Sequence, residues 1–276
     1  MKTIVLASPL LLAGTAAGVH GVHTTDTGSA LAPHEAVLST IHALRDNDTR
    51  ALVYSLMTDE QIQQAKREWD TQRKQAIDPA EDREFKEMMG QLTAPGAEKA
   101  LMAQIEPALD EIRPQLTMMI AMFTGMGQAA LQENHALSPD EKAQAERILD
   151  AVSRTLLTND LTDPASARKA VGILCSAARN LRVDSLTDVQ RLSFDQVLDK
   201  GDIVLEALKD ILVVYGISPD KWLSTFKAET VRQNGDTAVV RLHYEFLGVK
   251  DSSEYEMVKV GKRWVQKEAA GAMQGF

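Results

Sequence analysis

The segment 114–132 is the part of the sequence whose residue types are most distinctive in the chemistry that they could carry out. It contains no charged residue, and its thioethers are Met118, Met119, Met122 and Met126. Their spacing places them on one side of a helix. Three interpretations stay open: a helix buried in a helical body, an adaptable apolar surface for a partner or lipid, and a Cu(I) site of thioether sulfurs. We expect the first, because a helix that is apolar on all sides normally lies in a core.

A second group that could carry out chemistry consists of His243, Tyr244 and Glu245. An imidazole and a carboxylate can exchange protons. Successive residues of a strand point to opposite faces. His243 and Glu245 would then share one face while Tyr244 takes the other. The apolar neighbours of His243 in the strand, Leu242 and Tyr244, are expected to face the core. We therefore expect His243, on the opposite face, to face solvent. The sequence therefore identifies no catalytic residue.

The familiar motifs of catalysis and metal binding are missing from the sequence. It contains no His-Glu-x-x-His, Cys-x-x-Cys or Gly-x-Ser-x-Gly pattern and no phosphate-binding glycine loop. The one cysteine, Cys175, lies on a helical stripe with Val171, Leu174, Ala178 and Leu181, which predicts a core thiol. We therefore predict no metal site and no cofactor.

The charge balance limits the classes of partner. The chain of 276 residues has 30 Lys and Arg against 39 Asp and Glu, a formal net charge of −9. An acidic chain without a basic run is not suited to nucleic acid, whose phosphates need neutralising by Lys and Arg. It also has no electrostatic attraction to an anionic membrane surface.

The amino terminus is typical of an export signal. Lys2 precedes an apolar run, Ile4 to Leu12, and small residues follow from Gly14, so we predict a signal peptide over 1–18 and a flexible leader over 19–31. The run is too short to span a bilayer. Thr15 stands where a lipoprotein would have its cysteine, and a hydroxyl cannot form the thioether. We expect an exported, periplasmic or secreted protein without a lipid anchor and without a transmembrane span after signal removal.

The carboxy-terminal part, residues 217–276, is the only long stretch with the period of β-structure. Every second residue is apolar in the series Ala238, Val240, Leu242, Tyr244 and Phe246. Turn signals at 234–236 and 248–253 bracket this strand. A first strand is predicted over 226–232, a third over 255–260, and a last one at Trp264 and Val265 after the Gly261-Lys262 turn. These strands predict an antiparallel meander of four strands that helices must cover.

The rest of the chain predicts helices. Residues 32–57 carry two helices expected to pack on the sheet, and residues 58–216 form a helical body or insertion. Helix starts are signalled by capping boxes at Thr58, Ser138 and Ser193. The first of these helices is expected to run to about Ile77. Prolines at 95, 107 and 114 are expected to interrupt the pattern.

Two terminal segments resemble NTF2-like domains of exported bacterial proteins. Residues 33–58 (PHEAVLSTIHALRDNDTRALVYSLMT) resemble their opening helix and polar turn, and residues 235–240 and 257–265 (GDTAVV, MVKVGKRWV) resemble their closing hairpins. The resemblance covers about a third of the chain. It implies a curved antiparallel sheet backed by a helix, in some members with a pocket. The family contains enzymes and non-enzymes, so the resemblance alone does not give an activity.

These observations together predict an α+β protein, with a mostly helical body and a four-stranded meander packed on helices. The leading functional prediction is a non-enzymatic envelope protein that binds a protein partner or an apolar small molecule. The alternative is an NTF2-like enzyme with a polar pocket between sheet and helix. The residues predicted to contact a ligand are Met118, Met119, Met122, Met126, Tyr244 and Trp264.

Overall fold

The computed structural model describes residues 31–135 and 137–267. The predicted signal peptide, its Thr15 and nearly all of the leader lie outside the described residues. The fold is α+β, as predicted, with helices first along the chain and a four-stranded antiparallel sheet last. None of the described helices combines the length and hydrophobicity needed to cross a membrane.

The helices follow one another with short connections. Their bounds are α1 Pro33–Arg45, α2 Thr49–Leu56, α3 Asp59–Gln72, α4 Pro79–Thr93, α5 Ala97–Ile112, α6 Leu116–Glu133, α7 Pro139–Thr158, α8 Pro164–Leu181, α9 Leu186–Arg191, α10 Phe194–Val214 and α11 Pro219–Leu223. A single 3₁₀ turn, Arg113–Gln115, joins α5 to α6.

Side chains fix where several of these helices begin. The three predicted capping boxes are present: Thr58, Ser138 and Ser193 each accept a hydrogen bond from the third helical amide. Two predictions about helix ends are wrong. The helix after Thr58 ends at Gln72 rather than near Ile77. Pro107 lies inside α5, where its exposure lets water satisfy the carbonyl that a proline leaves without an intrahelical donor.

The sheet is a plain meander, with strand order β1-β2-β3-β4. Its strands are β1 Lys227–Asn234, β2 Thr237–Phe246, β3 Val249–Val260 and β4 Arg263–Gln266. Each connection has two residues. The predicted turn over 248–253 is wrong because Leu247 and Gly248 both have positive φ, 48° and 83°, and reverse the chain at once. Residues 249–253 therefore start β3 and pair with β2.

One face of the sheet forms a core with α1 and α11. The alternation predicted for β2 is confirmed from Ala238 to His243, since Leu242 is buried and His243 is exposed, but Tyr244 and Phe246 at the end of the strand are only half-buried. The alternation also predicts that the intervening polar residues Arg241 and Glu245 lie in solvent, and this prediction is wrong because both are half-buried. Arg241 lies between two carboxylates, with Nη1 3.2 Å from Glu229 and Nη2 2.7 Å from Glu254. The buried members of this core are Val37, Ile41, Leu223, Phe226, Ala238, Val240, Leu242, Met257 and Trp264.

A second core lies in the helical body, among α4, α5 and α8. Cys175 is fully buried there, as its stripe predicts, together with Val171 and Ala178 on the same helix. Leu174 is exposed, because the helices that cover α8 contact a narrower face than the stripe implies. The buried members of the cluster are Ala97, Met102, Ala167, Val171 and Cys175.

Lys209 joins the helical body to the layer that covers the sheet. Only 6% of this residue on α10 is exposed. Its ammonium donates to the carbonyl of Arg45 at 2.7 Å and to the side chain of Asn47 at 2.9 Å, and it forms an ion pair with Asp220. A buried charge needs such partners to offset the loss of hydration.

Candidate functional site

Helix α6 rests on a single neighbouring helix along one stripe. Ile120 is buried against α7, and the hydroxyls of Thr124 and Ser153 are 2.6 Å apart. Gly127 lies so close to α7 that a Cβ atom there would be 3.0 Å from a methyl carbon of Leu149. These contacts fix which side of α6 points inward. They leave the opposite side without a packing partner among the described residues.

The uncovered side of α6 is apolar, and we call it the methionine face. It consists of a row at four-residue spacing, Met118, Met122 and Met126, which are 68%, 53% and 60% exposed, with Phe123 beside the row at 61%. Met119 is half-buried at the edge. The expectation that these methionines are core residues is therefore wrong. Monomeric proteins rarely leave a contiguous apolar surface of this kind without a binding role.

Helix α7 holds the α6 hairpin against the sheet by polar contacts. Gln144 donates to the hydroxyl of Tyr244 at 2.8 Å and lies 3.4 Å from the hydroxyl of Ser253. Arg147 forms an ion pair of 2.9 Å with Asp251, a residue of β3. Tyr244 thus anchors the hairpin that presents the methionine face, and it is not a member of that face.

The residues predicted to contact a ligand fall into two places. The methionines lie together on α6, whereas Trp264 is buried in the core between α1 and the sheet. The ring of Tyr244 is half-buried and stacks on Phe226 with 5.1 Å between centroids. The space predicted for a polar pocket under α1 is occupied at these positions by packed apolar side chains.

The methionine row constrains the Cu(I) interpretation. Met118 and Met126 are eight positions apart, which is about 12 Å along a helix, so one ion cannot bind all the sulfurs of the row. Within 31–135 and 137–267, no group of three His, Cys, Asp or Glu side chains is placed to hold a metal. The methionines are thus spread out as an apolar surface and are not gathered around the position of a single ion.

A polar cluster between α2, α3 and α10 was not predicted from the sequence. Asp195 accepts hydrogen bonds from Tyr54 at 2.8 Å and Lys66 at 3.0 Å. Hydrogen bonds to Tyr54 and Asp195 raise the pKa of Lys66. Burial acts to raise the pKa of Asp195, but the bonds from Lys66 and Tyr54 outweigh it and lower the pKa overall. Both groups stay charged at neutral pH, which suits a structural ion pair and not a general base.

The outer face of the sheet holds His243 and Glu245, the two residues that could have exchanged protons, but their side chains have different partners. His243 Nε2 lies 3.5 Å from Glu229, whereas the carboxylate of Glu245 lies 4.0 Å from Lys250. Both side chains share the outer face, as predicted, and they do not converge on a common point.

A groove between α8 and α10 is a concave feature that could receive a small molecule. It has a volume of about 560 Å³, with Gly172, Ala177 and Ala207 among its lining residues. Its rim carries the charged side chains of Lys169, Glu206 and Asp210. The groove is shallow and partly charged, unlike the enclosed apolar sites that take up hydrophobic ligands.

The methionine face departs from ordinary packing, because its large apolar side chains lie in solvent. No family model, no curated protein and no solved structure matches the chain. Function is therefore inferred from the residues and their geometry.

Proposed function

We propose that this is an exported, non-enzymatic envelope protein that binds a protein partner through the methionine face of α6. One observation carries the proposal: four large apolar side chains, each more than half exposed, lie on α6 within the segment 114–132, which has no charged residue. Methionine is unbranched and polarisable, so such a face can adapt to an apolar surface of another protein. Covering these side chains supplies the hydrophobic free energy of binding.

A protein partner fits this face better than an apolar small molecule does. Small hydrophobic ligands bind in concave sites that enclose most of their surface. The methionine face is the convex side of one helix, so it can bury its side chains only against a broad surface. The lack of charge in residues 114–132 also removes any means of selecting an ionic ligand.

The export part of the proposal is supported by the sequence at the amino terminus. Lys2, the apolar run from Ile4 to Leu12 and the small residues after it form the signal pattern. Amino-terminal sequencing of the protein from the cell envelope tests this part. We expect a start just after Ala16, Ala17 or Gly18, and a start at Met1 would contradict it. The NTF2-like relationship of the terminal segments stays a prediction.

Site-specific photo-crosslinking in living cells tests the binding proposal. A photo-reactive amino acid at position 122 should give a covalent adduct of higher mass with a protein, because this position is at the centre of the proposed contact. The matched control is position 243, exposed on the charged face of the sheet. An adduct at 122 and none at 243 supports the proposal, and its absence at 122 overturns it.

A further inference from the structure

We infer that the surface bound by the methionine face is the same face of a second copy of this chain, with α6 packed on α6 across a two-fold axis. This inference names the partner of the proposed binding and rests on that proposal. In a two-fold contact the same patch occurs on both sides, so it must be complementary to itself. Three features of the methionine face support such a contact: its lack of charge, its shape, and a glycine that the described fold does not explain.

Charge favours contact between copies at this face. The chain carries a formal charge of −9, so two copies repel each other over most of their surface. Residues 114–132 contain no charged side chain, and two methionine faces can approach without pairing like charges. A partner recognised through opposite charge would need charged groups on the face, and it has none.

The shape of the face is self-complementary. Beside the row of Met118, Met122 and Met126 runs a second row of the same spacing, Ala121, Gly125 and Ala129, all exposed. Rows of residues four apart form the ridges and grooves by which helices pack. The methionines form a ridge and the small residues form a groove beside it. An antiparallel copy can place its ridge in this groove and receive the other ridge in its own.

Gly125 has no explanation within the described fold. A Cβ atom added there would have no atom within 4 Å, whereas one at Gly127 would touch Leu149. Glycine is a poor helix former, so a glycine inside α6 calls for a packing reason. Close approach of a second helix supplies it, because a side chain at position 125 would fill the groove that a partner's methionine enters.

The area of the face sets the strength of the contact. Large side chains of this kind bury on the order of 100 Å² or more each, so two faces together bury on the order of 1,000 Å². That area lies just below the range of stable specific interfaces, about 1,200–2,000 Å², and is typical of weak, reversible contacts. We therefore expect a reversible dimer whose population depends on protein concentration in the micromolar range.

Sedimentation equilibrium of the purified protein over about 1 to 200 µM tests the inference. We expect a monomer–dimer equilibrium for the unaltered chain. Gly125→Leu should weaken dimerisation at least tenfold, because leucine fills the groove. The same change improves the intrinsic helix propensity and meets open space, so the fold should be retained, as circular dichroism would show. Gly90→Leu is the matched control: this exposed glycine of α4 also has no atom within 4 Å of a built Cβ.

The outcomes separate clearly. A dimer that Gly125→Leu weakens and Gly90→Leu leaves intact supports the inference. A chain that stays monomeric over the whole range overturns it, as does a dimer indifferent to Gly125→Leu. If the chain is monomeric but position 122 still crosslinks to a protein of another mass, only the second-copy inference fails and the proposed binding function stands. If position 122 forms no adduct, the binding function fails as well.

Discussion

At the scale of single residues, His42 links the stability of the fold to pH. It is half-buried on α1, and burial lowers its pKa, while the carboxylate of Asp46 acts in the opposite direction. A lowered pKa means that the unfolded chain binds a proton more readily than the folded protein does. The contribution of neutral His42 to the stability of the folded protein is therefore complete above the ordinary imidazole pKa, about 6.5. It is lost as the pH falls below that value.

We expect the free energy of unfolding, measured by urea denaturation between pH 8 and 5, to fall on the acid side of this value. His42→Asn should flatten that part of the profile. His243→Asn is the control, because His243 is exposed on the sheet. An unchanged slope in the His42 variant would show that another group causes the pH dependence.

Single-residue roles could be read from the sequence where the neighbours that decide them are local. Cys175 was predicted as a core thiol from its helical stripe, and it is fully buried. The charged residues around Lys66 in the sequence predict a solvated helix face, yet Lys66 pairs with Asp195, 129 positions further along the chain. No local pattern encodes such a partner, because the pairing depends on how α3 and α10 come together.

At the scale of elements, β2 provides the sharpest test of the sheet. Leu242 is buried in the core under α1, and His243 points to the opposite face. Leu242→Ala should lower the free energy of unfolding by about 2–5 kcal/mol, because it removes buried methyl groups and leaves a cavity. His243→Ala should change it by no more than about 0.5 kcal/mol. Equal losses in urea denaturation would mean that both faces of the sheet are covered.

The same element shows why strands and caps were predictable and the burial of α6 was not. Alternation in β2 and the capping boxes depend on residues within a few positions of each other. The apolar sequence of α6 is compatible with any number of neighbours. Whether such a helix lies in a core depends on how many elements pack around it, and among the described residues the main neighbour of α6 is α7, along one side.

At the scale of the whole molecule, Lys209 connects two parts that have separate cores. Replacing it with methionine removes the ammonium that donates hydrogen bonds to the partly buried oxygens of Arg45 and Asn47. We expect Lys209→Met to lower the free energy of unfolding by about 1–3 kcal/mol, measured by urea denaturation. Lys99→Met, on an exposed position of α5, is the control and should change it by no more than about 0.5 kcal/mol. Similar values for the two variants would show that the link is dispensable.

The meander has a consequence for the order in which the protein folds. Helix α1 is covered by strands that follow it by roughly two hundred residues, so its apolar side has no native partner while the intervening helices are being synthesised. Closing so long a loop is entropically costly, which makes this core a late and slow event. The two-residue turns let the strands pair quickly once they are present. A chain with this order stays incompletely folded until its last strands emerge. The proposed export would use this delay, because passage across a membrane in extended form requires a chain that has not yet folded.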